Sequence, residues 1–71
     1  MSNMNMLRDK IKDSGMPITF IARKIGISRE SLYNKLNESV EFKASEICSI
    51  AKVLHLTMEE RDGIFFDDSV I

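Results

Sequence analysis

The chain has 71 residues, 44% of them hydrophobic and 30% charged, and a net charge of −1. This length supports one domain that buries only about 60% of its unfolded surface, and the composition excludes a disordered chain. No run of about 18 apolar residues is present, which excludes a membrane-spanning helix, and a single cysteine excludes an internal disulfide.

The N-terminal MSNMNMLRDK lacks the apolar stretch of a signal peptide, so a cytoplasmic protein is expected. The small net charge hides an asymmetry. Residues 1–37 carry seven Lys or Arg against three Asp or Glu, a balance of +4. Residues 38–71 carry three against eight, a balance of −5. A basic first half suits a polyanion, and an acidic second half suits solvent or a basic protein.

Met4, Leu7 and Ile11 follow i, i+3 and i+7, which predicts an amphipathic first helix over residues 4–14, stopped at Gly15. Met1, Met4 and Met6 read as adaptable filler from that helix, with a binding edge as the alternative. Pro17 stands at the start of a second helix over 17–25, where its missing N–H costs little. A third helix is expected over 28–37, followed by a loop at 38–43 with Val40 and Phe42 tucked inward. A fourth fits 44–54, with Ile47, Ile50, Ala51 and Leu54 on one face. Thr57 and Glu60 have the spacing of a capping box, which starts a fifth helix over 58–66. Residues 67–71 read as a short, frayed tail beyond a domain of residues 1–66. Five helices with short connections predict a compact all-α fold.

The central stretch, ITFIARKIGISRESLYNKL at 18–36, has the spacing of a helix-turn-helix. Ala22 is small where the second and third helices must cross, and Gly26 falls where positive φ is needed. Ser28 can cap the third helix, and Leu32 and Leu36, one turn apart, face the core. The opposite face offers Arg29, Glu30, Tyr33, Asn34 and Asn37, side chains that can reach base edges in a major groove.

These residues resemble the helix-turn-helix of the Cro/CI-type (XRE) regulators. Ala22, Gly26, Ile27, Ser28, Leu32 and Leu36 fall on that motif's small, glycine, apolar, cap and core positions. The resemblance extends over residues 7–66. The stretch EFKASEICSIAKVLHLTMEERDGIFF is similar to the fourth and fifth helices of small regulators from temperate phages of Gram-positive bacteria. Among these are Cro-like repressors and modulator-of-repression proteins, which bind the phage repressor itself. The resemblance implies a lambda-repressor-like domain. One departure is Ile18, where operator-binding members often carry a glutamine that contacts a phosphate.

Arg29 at the start of the third helix can take guanine O6 and N7 together; its plainer role is a surface ion pair with Glu30 or Asp13. Tyr33 can stack on Arg29 or touch a thymine methyl, or simply pack at the helix rim. Asn34 and Asn37 can read adenine or phosphate, or serve as caps. Thr19, Ser31 and Lys35 are candidate phosphate contacts, and Ser28 belongs to the same candidate DNA-binding set. Glu30 can accept from cytosine N4, but it also suits arginines of a protein partner. With Tyr33, Phe65 and Phe66 it forms a candidate partner surface. The two adjacent phenylalanines can line a homodimer seam, line a seam with another protein, or be buried.

Cys48 and His55, seven apart, match no metal-ligand spacing; Cys48 reads as a small core residue and His55 as a cation at a helix end. No catalytic arrangement and no cofactor motif can be assembled. Two functions follow as expectations. The first is a phage or prophage regulator that binds double-stranded operator DNA through the third helix. The second is an anti-repressor that binds the phage CI-type repressor and masks its DNA-reading face. An antitoxin-like regulator is a weaker third.

Overall fold

The computed structural model describes residues 3–66. Over them the chain forms five α-helices and no strand: α1 (Met4–Ser14), α2 (Ile18–Ile25), α3 (Arg29–Leu36), α4 (Ala44–Val53) and α5 (Met58–Phe65). The expected tail at 67–71, and Met1 of the methionine-rich start, lie outside the described residues. Every expected helix is present, with no bound displaced by more than one residue.

Three of these helices have only eight residues, and in water helices shorter than about 12–15 residues are marginal. Their ends must therefore be well satisfied. Asn3 Oδ1 accepts from Met6 N–H at 3.1 Å and starts α1. Pro17, in an extended conformation, leads into α2, and its carbonyl accepts from Phe20 and Ile21 N–H. Ser28 Oγ accepts from Ser31 N–H at 3.0 Å and caps α3. Thr57 and Glu60 form the expected reciprocal box on α5: Thr57 Oγ1 accepts from Glu60 N–H at 3.0 Å, and Glu60 Oε1 accepts from Thr57 N–H at 2.8 Å.

The C-terminal ends reverse the chain just as sharply. Gly26 follows α2 at φ 81°, with its N–H on the Arg23 carbonyl and Ile27 N–H on the Ala22 carbonyl. The same pair of bonds closes α3 at Glu38 (φ 64°) and α4 at His55 (φ 54°). Left-handed geometry costs a residue with a Cβ about 1–2 kcal/mol, so Glu38 and His55 hold strain that Gly26 does not. His55, expected as a helix-end cation, is thus the turn residue itself.

Each helix contributes one aliphatic side chain that is almost wholly buried: Leu7, Ile21, Leu32, Ile50 and Ile64. Around this centre pack Met4, Ile11, Ala22, Ile25, Leu36, Ile47 and Phe65. The helix α2 lies against both α3 and α4, while α1 bridges α3 and α5. The radius of gyration is 11.3 Å, against about 11 Å for a compact chain of this length. No helix among the described residues is long and apolar enough to cross a membrane.

Two expectations are corrected. Val40 is half exposed rather than tucked in, and only Phe42 of its loop packs against the core. Cys48 is exposed, because α4 turns Ile47 and Ile50 inward and leaves position 48 on the outer side.

Ala22 is 1% exposed at the α2 crossing. Ala22→Leu should lower stability by about 1–3 kcal/mol through overpacking, and in a domain this small each kcal/mol lowers the melting midpoint by about 4–8 °C. Glu38→Gly should raise stability by about 0.5–1 kcal/mol by releasing the left-handed strain. Thermal melting followed by circular dichroism measures both, and an unchanged midpoint in Ala22→Leu removes the close crossing.

Candidate functional site

The helix α3 buries Leu32, Lys35 and Leu36, the i, i+3, i+4 stripe of one helix face. Its opposite side therefore faces solvent, where Glu30, Tyr33, Asn34 and Asn37 run along one stripe and Arg29 stands on the first turn. Ser31 is half-buried, and Thr19 is exposed on the first turn of α2. The Ser28 hydroxyl is committed to the α3 cap. Neither Arg29 nor Glu30 makes an ion pair among the described residues. The outward face thus brings together Arg29, Glu30, Tyr33, Asn34 and Asn37 as the sequence suggests.

Lys35 does not join them, and its expected phosphate contact is corrected. Only 7% of it is exposed. Its Nζ lies 3.2 Å from Glu46 Oε1, donates to the Glu41 carbonyl at 3.2 Å, and sits 5.9 Å from the centroid of the Phe42 ring. The reason is packing: α3 has few apolar residues, and the long aliphatic stem of Lys35 completes its inner stripe while the ammonium meets the start of α4. Glu46 also accepts from Lys43 N–H at 2.8 Å, so one carboxylate serves both the ion pair and the α4 cap. Burial pushes the Glu46 carboxyl up, but the Lys43 N–H and the Lys35 ammonium together outweigh burial and hold it below its ordinary value of 4.5.

Phe65 is also corrected as a surface residue. It is 7% exposed and meets Phe42 edge-on, with centroids 5.3 Å apart. Phe66, the next residue and about 100° further round the helix, is 54% exposed.

Arg8 was not expected here. From α1 it donates to the Leu36 carbonyl at 2.9 Å and to Asn37 Oδ1 at 2.6 Å, a cation on the C-terminal end of α3. The partners are 28 and 29 residues away, so no local pattern announces the contact. Lys10 similarly pairs with Glu60 across α1 and α5. That contact raises the Lys10 pKa and lowers that of the half-buried Glu60. Lys10, like Lys35, is thereby neutralised inside the molecule by the acidic half. Phe20, 40% exposed under Lys24 Nζ at 5.5 Å, and a shallow surface groove that includes Cys48, His55 and Met58 are further exposed features.

One protein-family model matches the chain, over residues 4–68, and is described as a protein of unknown function, DUF739. The chain belongs to that family. No curated protein and no solved structure matches it.

Glu46→Ala should cost about 3–5 kcal/mol at neutral pH, because it leaves a buried ammonium unpaired. The carboxyl is depressed in the folded state, so its contribution is present above the unfolded value near 4.5 and is lost as pH falls through the lower folded value. The gap between the wild type and Glu46→Ala should therefore narrow below about pH 4.5. Urea titrations across pH measure it; a gap independent of pH would show that the pair is not ionised.

Proposed function

We propose that this DUF739 chain is a small transcription regulator of a phage or prophage, with α2, the corner at 26–28 and α3 as a Cro/CI-type helix-turn-helix. On this reading α3 enters the major groove of operator DNA and blocks a promoter by occupying it. Arg29, Tyr33 and Asn34 read bases, and Thr19 and Ser31 position the backbone. One observation carries the reading. The outward stripe of α3 is built from polar and aromatic side chains, with Arg29 free at the first turn and directly after a capped, glycine-cornered start. The function is binding inside the bacterial host cell, and it calls for no cofactor and no catalytic group.

A second reading is favoured by Lys35. With that cation turned inward, the outward face of α3 keeps one positive charge, Arg29, beside one negative charge, Glu30. A face so poor in cations suits the arginines of a CI-type repressor, whose DNA-reading surface it would mask. Phe66 and Tyr33 are exposed aromatics for such a partner, or for a second copy of the chain.

On the DNA reading, Arg29→Ala should cost about 1–3 kcal/mol and relax specificity at one base. Glu30→Gln should then be neutral or tighten binding, because it removes a like charge near phosphate. On the repressor reading, Glu30→Gln should weaken the complex by about 2–5 kcal/mol where that contact is buried. Fluorescence anisotropy against the chain's neighbouring promoter DNA, and against the purified repressor, separates them. If neither variant alters either affinity, α3's outward face is not the functional surface.

A further inference from the structure

A cleft between α1 and α3, closed at one end by the start of α2, is lined by Arg8, Ile11, Lys12, Ile18, Tyr33 and Leu36. Its only charged lining groups are the two cations. Arg8 and Lys12 stand one turn apart on α1, with Cβ atoms about 5–6 Å from each other. Asp9 and Asp13 each directly follow one of them in sequence but line no part of the cleft.

Arg8 is already held in place. One terminal nitrogen donates both to the Leu36 carbonyl and to Asn37 Oδ1. A guanidinium has five N–H donors, so the second terminal nitrogen and Nε keep three with no partner among the described residues. A cation fixed in this way loses little side-chain entropy when an anion arrives. Lys12 makes no ion pair among the described residues. Tyr33, 43% exposed, lines the same cleft and carries a phenolic donor. Arg, Lys and Tyr on an apolar floor of Ile11, Ile18 and Leu36 form a donor set that matches a phosphodiester, which has only acceptor oxygens and no proton to give.

We infer that this cleft binds a backbone phosphate of double-stranded DNA, gripped by Arg8 and Lys12 of α1 and by Tyr33 of α3. The inference rests on the proposed DNA-binding role and extends its footprint from α3 to α1. It supplies the backbone anchor that Ile18 cannot provide and that the inward Lys35 does not. Tyr33 then links two tasks, since its ring borders both the outward stripe of α3 and the cleft.

The test is a salt titration of the whole chain with a mixed-sequence DNA duplex, read by fluorescence anisotropy. Each phosphate contact contributes about 0.9 to the slope of log affinity against log salt. Lys12→Gln should lower the slope by about that amount, Lys12→Arg should restore it, and base preference should be unchanged. Lys52→Gln, on α4, should leave the slope as it is. The Lys12 ammonium has no hydrogen-bond or ion-pair partner among the described residues, so the variant should melt like the wild type. An unchanged slope in Lys12→Gln, with base discrimination still lost in Arg29→Ala, overturns the cleft and leaves the proposed function standing. A reduced slope in Lys12→Gln, with Arg29→Ala without effect, supports the cleft and overturns base reading by α3. No duplex binding by the wild type overturns both. If the Lys12 and Tyr33 resonances respond instead to poly-glutamate, the anion that the cleft takes is an acidic protein.

Discussion

The roll of α3 about its own axis is set by Lys35, and the character of the outer surface follows from it. An eight-residue helix with Leu32 and Leu36 as its only aliphatic anchors has little to fix its rotation. The ammonium adds a directional lock: Glu46 at one side, the Glu41 carbonyl at another, and the Phe42 ring beyond. A rotation of α3 by one position would strip this buried charge of its partners, at a cost of several kcal/mol. Coulomb attraction in the interior does not need to add net stability to do this. It needs only to make the alternatives worse.

The lock also couples α3 to the α4 start through a single carboxylate. Glu46 completes the α4 cap by accepting from Lys43 N–H, and it is held there by Lys35. At the same end α3 is closed by Glu38 in a left-handed conformation, and Arg8 donates to the Leu36 carbonyl and to Asn37 Oδ1. Short helices here survive because their ends are capped or packed, not because their propensities are high. The strain at Glu38 and His55 is the cost of ending α3 and α4 abruptly. Tight turning, in turn, lets five helices surround one small core.

The legible part of this fold was the part written in local chemistry. Gly15, Gly26, Ser28 and the Thr57–Glu60 box act within a few residues of themselves, so spacing alone located them. The periodic aliphatics marked the inner faces of α1 and α4 for the same reason. What stayed hidden depends on contacts far along the chain. Lys35 reads as surface because lysine usually is, and its partner lies eleven positions on, in the next helix. Arg8 reaches α3 from α1 with no sequence signal at all. Phe65 and Phe66 are equally apolar, and only the packing of Phe42 decides which one enters the core. The outward stripe of α3 could be drawn from the sequence because Leu32 and Leu36 fix the opposite side. Its charge could not, because that required knowing where the Lys35 ammonium goes.

The distribution of charge then bears on what the surface can do. The +4 of residues 1–37 counts Lys10 and Lys35, which the acidic half neutralises through Glu60 and Glu46. Those pairs join α1 to α5 and α3 to α4, so part of the apparent polarity of the sequence is structural cement. What remains for a ligand is sparse: Arg8, Lys12, Arg23, Lys24 and Arg29, spread over three helices. A field that weak is screened beyond a Debye length of about 8 Å at physiological ionic strength and gives little long-range steering. On the proposed function, recognition would instead come from a few positioned groups in contact with the partner. Cations held in advance, like Arg8, count for more in such a design than a larger number of free lysines would. The same sparseness explains why one residue, Glu30, can tip the outward face between a phosphate-tolerant surface and one suited to a basic protein. With Arg29 as the only cation beside it, each unit of charge there is a large part of the total.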